Sequence, residues 1–334
     1  MREYDAQFSD DGQIRWLPYV MYFHPAGYRS PVVNTDSLGF RYSTRSGEQV
    51  GVADHLPEGP VDVLAGGSTV FGIGASSDGA TLASAMNRHA GGRSGPWLNM
   101  GGRSHNSAQE LLLHVLHRHR LPRIRRIVLF SGFNDLGLAR LPASMRFEGG
   151  GFFLSGTFFE RLDGRHPRSR LRRGRPRRPS GTAGATSAVA GPGAEQPPDL
   201  EQQLTYAADL VLRHLGVWKA LAADTGAELT YVLQPLATWV RETGTTEEQA
   251  LFAHLDRLGS FGDRYGDISA PEAGRRYAEF LGAGCARMGV PFVDFAPLAA
   301  RALGPDDWMF VDRIHYTDAG YDLAARLLVE HAVR

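Results

Sequence analysis

Cysteine and lysine are nearly absent from this chain of 334 residues: Cys285 is its one cysteine and Lys219 its one lysine. A single cysteine forms no internal disulfide and no cysteine metal site, so Cys285 is expected to be a small buried hydrophobe. Long apolar runs are missing as well. No stretch reaches about 18 consecutive apolar residues, so no membrane-spanning helix is expected. The opening Met1-Arg2-Glu3-Tyr4-Asp5 is charged and no apolar segment follows it. That argues against a secretory signal and leaves a cytoplasmic protein as the expectation. Net charge is zero, with 36 basic and 36 acidic residues, and hydrophobic residues make up 43%. These values exclude wholesale disorder, a fibre and a disulfide-rich miniprotein. The length suits one large domain or two small ones with a real core.

The zero net charge conceals an uneven distribution. Residues 161–178 hold nine arginines and one acid, Asp163, so the rest of the chain is mildly acidic. A Gly/Ala/Ser/Thr/Pro tract follows, running to Pro198. Such a segment buries too little apolar area to offset its ordering entropy, and it reads as a disordered insertion at about 162–198. Its arginines read as a solvated loop rather than a nucleic-acid contact.

On either side, strand and helix signals alternate. The runs Val61–Ala65, Trp97–Met100, Arg126–Phe130, Leu229–Leu233 and Pro291–Phe295 are short, apolar and closed by turn-forming or polar residues. Between them, Ser107 and Glu110 have capping-box spacing before Leu111, Leu112, Val115 and Leu116. Leu200, Leu204, Ala207, Val211, Leu215 and Trp218 follow helical spacing, with Gly226 as a stop. Ser269 and Pro271 open a helix toward Gly289, and Thr317 caps a last one. This alternation predicts a parallel sheet with helices on both sides. Ligands of such sheets bind beyond the carboxyl ends of the strands.

The residues at those ends form a pattern. The first strand leads into Gly66-Gly67-Ser68, the second into Asn99 through Ser107, and the third into Gly132-Phe133-Asn134-Asp135. Asp312 and His315 precede the last helix. A serine on a sharp strand-to-helix turn is an exposed nucleophile. Histidine is the side chain suited to take its proton near neutral pH. A carboxylate three residues earlier can hold the imidazole tautomer. An asparagine amide and backbone N–H groups can face a developing oxyanion.

In this order the four blocks resemble the SGNH (GDSL-like) hydrolase family, from about Val61 onward and excluding the insertion. The resemblance implies a flavodoxin-like α/β/α sandwich on a five-stranded parallel sheet. It implies acyl hydrolysis or transfer on esters, thioesters, lipids or carbohydrates, through an acyl-enzyme and without a cofactor. By it Ser68 is the nucleophile, His315 the base and Asp312 its partner. The oxyanion hole comprises Ser68, Ser104 and Asn134. Two positions depart from the pattern. Gly67 stands where the family name has aspartate, and Ser104 stands where the second block has glycine. Serine keeps the N–H, but its Cβ is unfavourable at positive φ; Gly102 is the fallback donor. The helix starting near Ser107 would turn its positive end toward the oxyanion.

Competing readings are weaker. No Gly-Lys-Ser/Thr follows the glycines at Ser68, so they are not a nucleotide loop. His114, His117 and His119 lack an acid at ligand spacing, and no metal is expected. Asp294 and Asp322 are rival acids without the short-loop geometry of Asp312. Residues 1–60 read as a strap over the sheet. Within it Trp16, Tyr19, Tyr22, Phe23 and Tyr28 cluster before a leader, Asn34–Arg41, and could instead wall an acyl pocket. Hydrolysis ranks first, an acyltransferase or cyclase on the same site second, and a non-catalytic binding protein third. The expected partner is a small-molecule, lipid or carbohydrate acyl substrate.

Overall fold

The computed structural model describes residues 15–141, 143, 146, 198–259 and 261–333. The expected insertion lies outside the described residues save Pro198. The strap forms two small antiparallel pairs, β1 (Arg15–Leu17) with β2 (Met21–Phe23) and β3 (Ser43–Arg45) with β4 (Glu48–Val50). The main sheet holds β5 (Val61–Gly66), β6 (Trp97–Gly101), β7 (Ile124–Ser131), β8 (Glu228–Leu233) and β9 (Phe292–Asp294). Their order is β6-β5-β7-β8-β9 and every pairing is parallel. In chain order of the five strands this is 2-1-3-4-5, the flavodoxin-like order. Its switch point lies between β5 and β7, where ligand crevices open.

The helices are α1 (Ser68–Phe71), α2 (Leu82–Ala90), α3 (Ser107–His117), α4 (Phe133–Ala139), α5 (Leu200–Thr225), α6 (Ala237–Val240), α7 (Thr246–Leu258), α8 (Phe261–Tyr265), α9 (Pro271–Met288), α10 (Phe295–Ala302) and α11 (Asp318–His331). The strands alternate between two cores, as a period of two requires. Val63, Ala65, Ile127 and Leu129 face the layer of α3, α5 and α9. Leu64, Val128 and Phe130 face the layer of α2, α10 and α11. The strap residues Val20, Phe23, Phe40 and Val52 join the first core. Trp218 is buried in the same core with its ring 4.5 Å from that of His114. Truncating it to alanine should cost about 3–5 kcal/mol.

The helix ends follow local chemistry. Gly226 stops α5 at φ +68 and Gly289 stops α9 at φ +65. The Thr317 side chain accepts the Gly320 N–H at the start of α11. One expectation is corrected. The capping box of α3 is built by Asn106 and Gln109, one residue before the expected Ser107 and Glu110. Ser107 and Glu110 are buried and turned toward the β7–α4 junction instead. Among the described residues no helix is long and apolar enough to cross a membrane. Cys285 is buried in α9, and burial pushes its thiol up to about 12.

Candidate active site

Strand β5 ends at Gly66, and Ser68 opens the four-residue α1. A side chain at Gly67 would put its Cβ 2.9 Å from Nδ2 of Asn134 and 3.3 Å from the His105 carbonyl. Glycine there lets the turn close onto both loops. The Gln234 amide donates to the Thr69 hydroxyl at 2.7 Å and ties α1 to the end of β8.

Ser68 Oγ lies 2.6 Å from Nε2 of His315, although 247 residues separate them in sequence. Nδ1 of His315 lies 2.7 Å from Oδ2 of Asp312. The other carboxylate oxygen accepts the N–H groups of Ile314 and His315, each at 2.7 Å. Burial works to raise the Asp312 carboxyl, but the adjacent His315 and these donors outweigh it and hold it below its ordinary value. A carboxylate kept ionised in a three-residue loop is suited to orient an imidazole.

The second and third blocks approach from either side. Asn134 sits in the first turn of α4 and donates one amide hydrogen to the His105 carbonyl at 2.6 Å. That bond fixes the amide and leaves its second hydrogen for a ligand. Ser104 has φ +60. This is the left-handed region that costs a serine about 1–2 kcal/mol. The Gly102 N–H is already donated to the Gly66 carbonyl at 3.0 Å, which continues the sheet past β6. The fallback donor is therefore spent on the fold. Gly102 is needed for another reason: a Cβ there would fall 2.0 Å from Nδ1 of His105.

The start of α3 serves differently from expectation. Its first N–H groups are taken by Asn106 and by Asp135, not left for an anion. The Ser107 hydroxyl bridges Asp135 at 2.5 Å and His214 Nδ1 at 2.7 Å. Glu110 accepts the Ser131 hydroxyl at 2.6 Å. Burial pushes Asp135 up to about 6, against the Ser107 donors. Burial and the nearby Asp135 push Glu110 well above its ordinary value. Through Ser107 and Asp135, the residue after Asn134, this buried polar cluster ties α3 to α4.

The other candidates are placed elsewhere. Asp294 caps α10 through the Ala296 N–H, and Asp322 pairs with Arg88 and His89. His114 packs on Trp218, while His117 meets Phe40 edge-on at 5.1 Å. Burial lowers both histidines to about 4. Among the described residues no cluster of histidine, cysteine and acidic side chains is placed to hold a metal ion. Of the strap aromatics, Tyr22 and Phe23 are buried in packing and Tyr19 is 72% exposed. Sequence reasoning passed over His24, Arg41, Asp78 and His214. Each is buried or half-buried against a residue far away in the chain. The Asn34–Arg41 leader was the one signal pointing to any of them.

No family model and no curated protein matches the chain by sequence. Among solved structures the chain is similar to a lipolytic protein of the G-D-S-L family from Veillonella parvula DSM 2008, at 14% identity over 83% of this chain and 100% of that one, with a TM-score of 0.44. It is similar to an acetyl xylan esterase at 12% identity, over 82% and 99%, with a TM-score of 0.42. It is also similar to a lipase/acylhydrolase from Enterococcus faecalis at 12% identity, over 81% and 94%, with a TM-score of 0.38. All three TM-scores lie below 0.5, so the weight rests on the chain's own sheet order and distances.

Proposed function

We propose that this protein is a serine acyl hydrolase of the SGNH (GDSL-like) type, acting on an ester or thioester of a small molecule, lipid or carbohydrate. The observation that carries the reading is the unbroken line Ser68–His315–Asp312, at 2.6 and 2.7 Å, assembled from opposite ends of the chain at the switch point of the sheet. Ser68 Oγ attacks the acyl carbonyl while His315 Nε2 takes its proton. Asp312 holds the imidazole with its proton on Nδ1 and stabilises the imidazolium. The tetrahedral oxyanion is received by the Ser68 and Ser104 N–H groups and by the Asn134 amide. His315 then gives its proton to the leaving group. An acyl-enzyme remains on Ser68, and water, activated by the same imidazole, releases it.

A fluorophosphonate probe tests this. A single adduct located by mass spectrometry on Ser68, absent from Ser68→Ala, is expected, with turnover of short-chain nitrophenyl esters alongside. Labelling with very slow ester turnover would direct attention to an acceptor other than water, hence to a transferase or cyclase. A folded wild-type protein that takes no adduct would overturn the reading.

A further inference from the structure

The loop from Gly102 to His105 is a tight turn, closed by the His105 N–H on the Gly102 carbonyl at 3.2 Å. Its third residue is Ser104 at φ +60, the place where a turn with positive φ ordinarily takes glycine. A serine persists in that conformation only where its surroundings over-determine it. Here the surroundings are the strap. The Arg103 N–H donates to Nε2 of His24 at 3.1 Å. The His105 ring bonds through Nε2 to the Tyr22 carbonyl at 2.9 Å. The residues on both sides of Ser104 are thus pinned by Tyr22 of β2 and by His24, the residue that follows this strand.

His24 is wholly buried, and its Nδ1 faces the Gly39 carbonyl at 3.1 Å. A carbonyl only accepts and a backbone N–H only donates. The ring therefore carries its proton on Nδ1 and offers a lone pair at Nε2. Its face lies against Phe71, with ring centroids 3.8 Å apart. Phe71 is the last residue of α1. One imidazole therefore meets the nucleophile's helix with its face and the oxyanion loop with its edge. Burial, with Arg103 and His105 nearby, holds His24 well below its ordinary value, so the ring stays neutral.

We propose that His24 is a positioning residue of the acyl-transfer site, whose Nε2, by accepting the Arg103 N–H, holds Ser104 in the left-handed turn that aims its own N–H at the oxyanion. The inference rests on the roles given above to Ser68 and Ser104. It places part of the oxyanion geometry in the strap, outside the four sequence blocks.

The test uses the full chain and three variants. His24→Phe keeps a ring against Phe71 and removes the acceptor. Its kcat is expected to fall about 10- to 100-fold with KM nearly unchanged, because a misaimed donor is lost mainly in the transition state. His24→Gln, which can present an oxygen near the same point, is expected to retain most of kcat. Adding Ser104→Gly to His24→Phe is expected to recover most of the loss, since glycine takes positive φ without being held. A packing role for His24 would gain nothing from that second change. Wild-type kcat in His24→Phe, or no recovery on adding Ser104→Gly, would overturn the inference. Absence of the fluorophosphonate adduct from wild-type Ser68, read on the same preparation, would instead remove the underlying site and the inference with it. Should His24→Phe fail to fold, ring nitrogen-15 shifts of the wild type decide. A protonated Nδ1 with a bare Nε2 is expected, assigned by loss of the signals in His24→Gln, and a proton on Nε2 would overturn the inference.

Discussion

Replacing Asp78 by alanine strands a guanidinium in the interior. Arg41 is wholly buried and Asp78 is 7% exposed, with Nε and Oδ1 2.9 Å apart. The remaining Arg41 donors go to the carbonyls of Gly72 and Val32, each at 2.6 Å. Carbonyls satisfy hydrogens but do not neutralise a charge. An uncompensated buried charge costs about 3–5 kcal/mol. At about 2–4 °C per kcal/mol for a domain of this size, the melting point should drop by roughly 6–20 °C. Arg41→Met should cost less, because the Asp78 carboxylate keeps the Asn34 backbone N–H at 3.1 Å and its amide at 2.7 Å. The double variant leaves neither charge alone, so its cost should fall short of the sum by about 1–3 kcal/mol. Urea unfolding at neutral pH with a constant m-value measures all three. A cost below about 1 kcal/mol for Asp78→Ala, or strict additivity in the double variant, would refute the reasoning. The pair also bears on chemistry. Arg41 holds the carbonyl of Gly72, the residue that follows α1, so probe labelling of Ser68 should slow in both single variants well below their melting points.

Asn134→Ala should lower kcat by about 10²–10³ while Ser68 still takes the fluorophosphonate, checked by steady-state kinetics and intact mass. Asp312→Asn should cost about 10⁴ in turnover with little change in fold, because an amide no longer dictates the proton on Nδ1; circular dichroism and ester turnover together decide it. In the native state Asp135 titrates at about 6 against an ordinary 3.8, so the folded chain keeps a proton that the unfolded chain has released. Stability from this group therefore falls as pH rises from about 4 to about 6, and Asp135→Asn should flatten that slope in urea melts. Asp312, shifted the opposite way, acts below this window. An unchanged slope in the variant would count against the buried-acid reading. Cys285 should resist a maleimide at mildly alkaline pH in the folded protein and react fully once unfolded, as mass spectrometry would show.

Much of the fold was legible because its signals are local. A period of two separates Val63 and Ala65 from Leu64, and glycine at Gly226 and Gly289 marks helix ends without reference to anything distant. The four site blocks were legible for the same reason: each is a short loop whose residues sit together in sequence. The start of α3 shows where such reading fails. Asn106 and Ser107 are both good caps, and what separates them is a partner for Ser107 28 residues away, Asp135. His24 and Arg41 failed more completely. Their partners are 79 and 37 residues off, and nothing in a local pattern distinguishes an imidazole that accepts a backbone N–H from one that faces solvent.

The separation of 247 residues between Ser68 and His315 gives the site a schedule. On a ribosome adding about 5–20 residues per second, Ser68 waits roughly 12–50 s for His315 to be made. Until then Ser68 has no imidazole beside it. On the reading proposed above, acyl chemistry starts only when the loop before α11 is in place beside Ser68. If Ser68 acts as proposed, a nascent chain leaves the esters around it untouched, and reactivity toward the probe becomes a timer for completion of the fold.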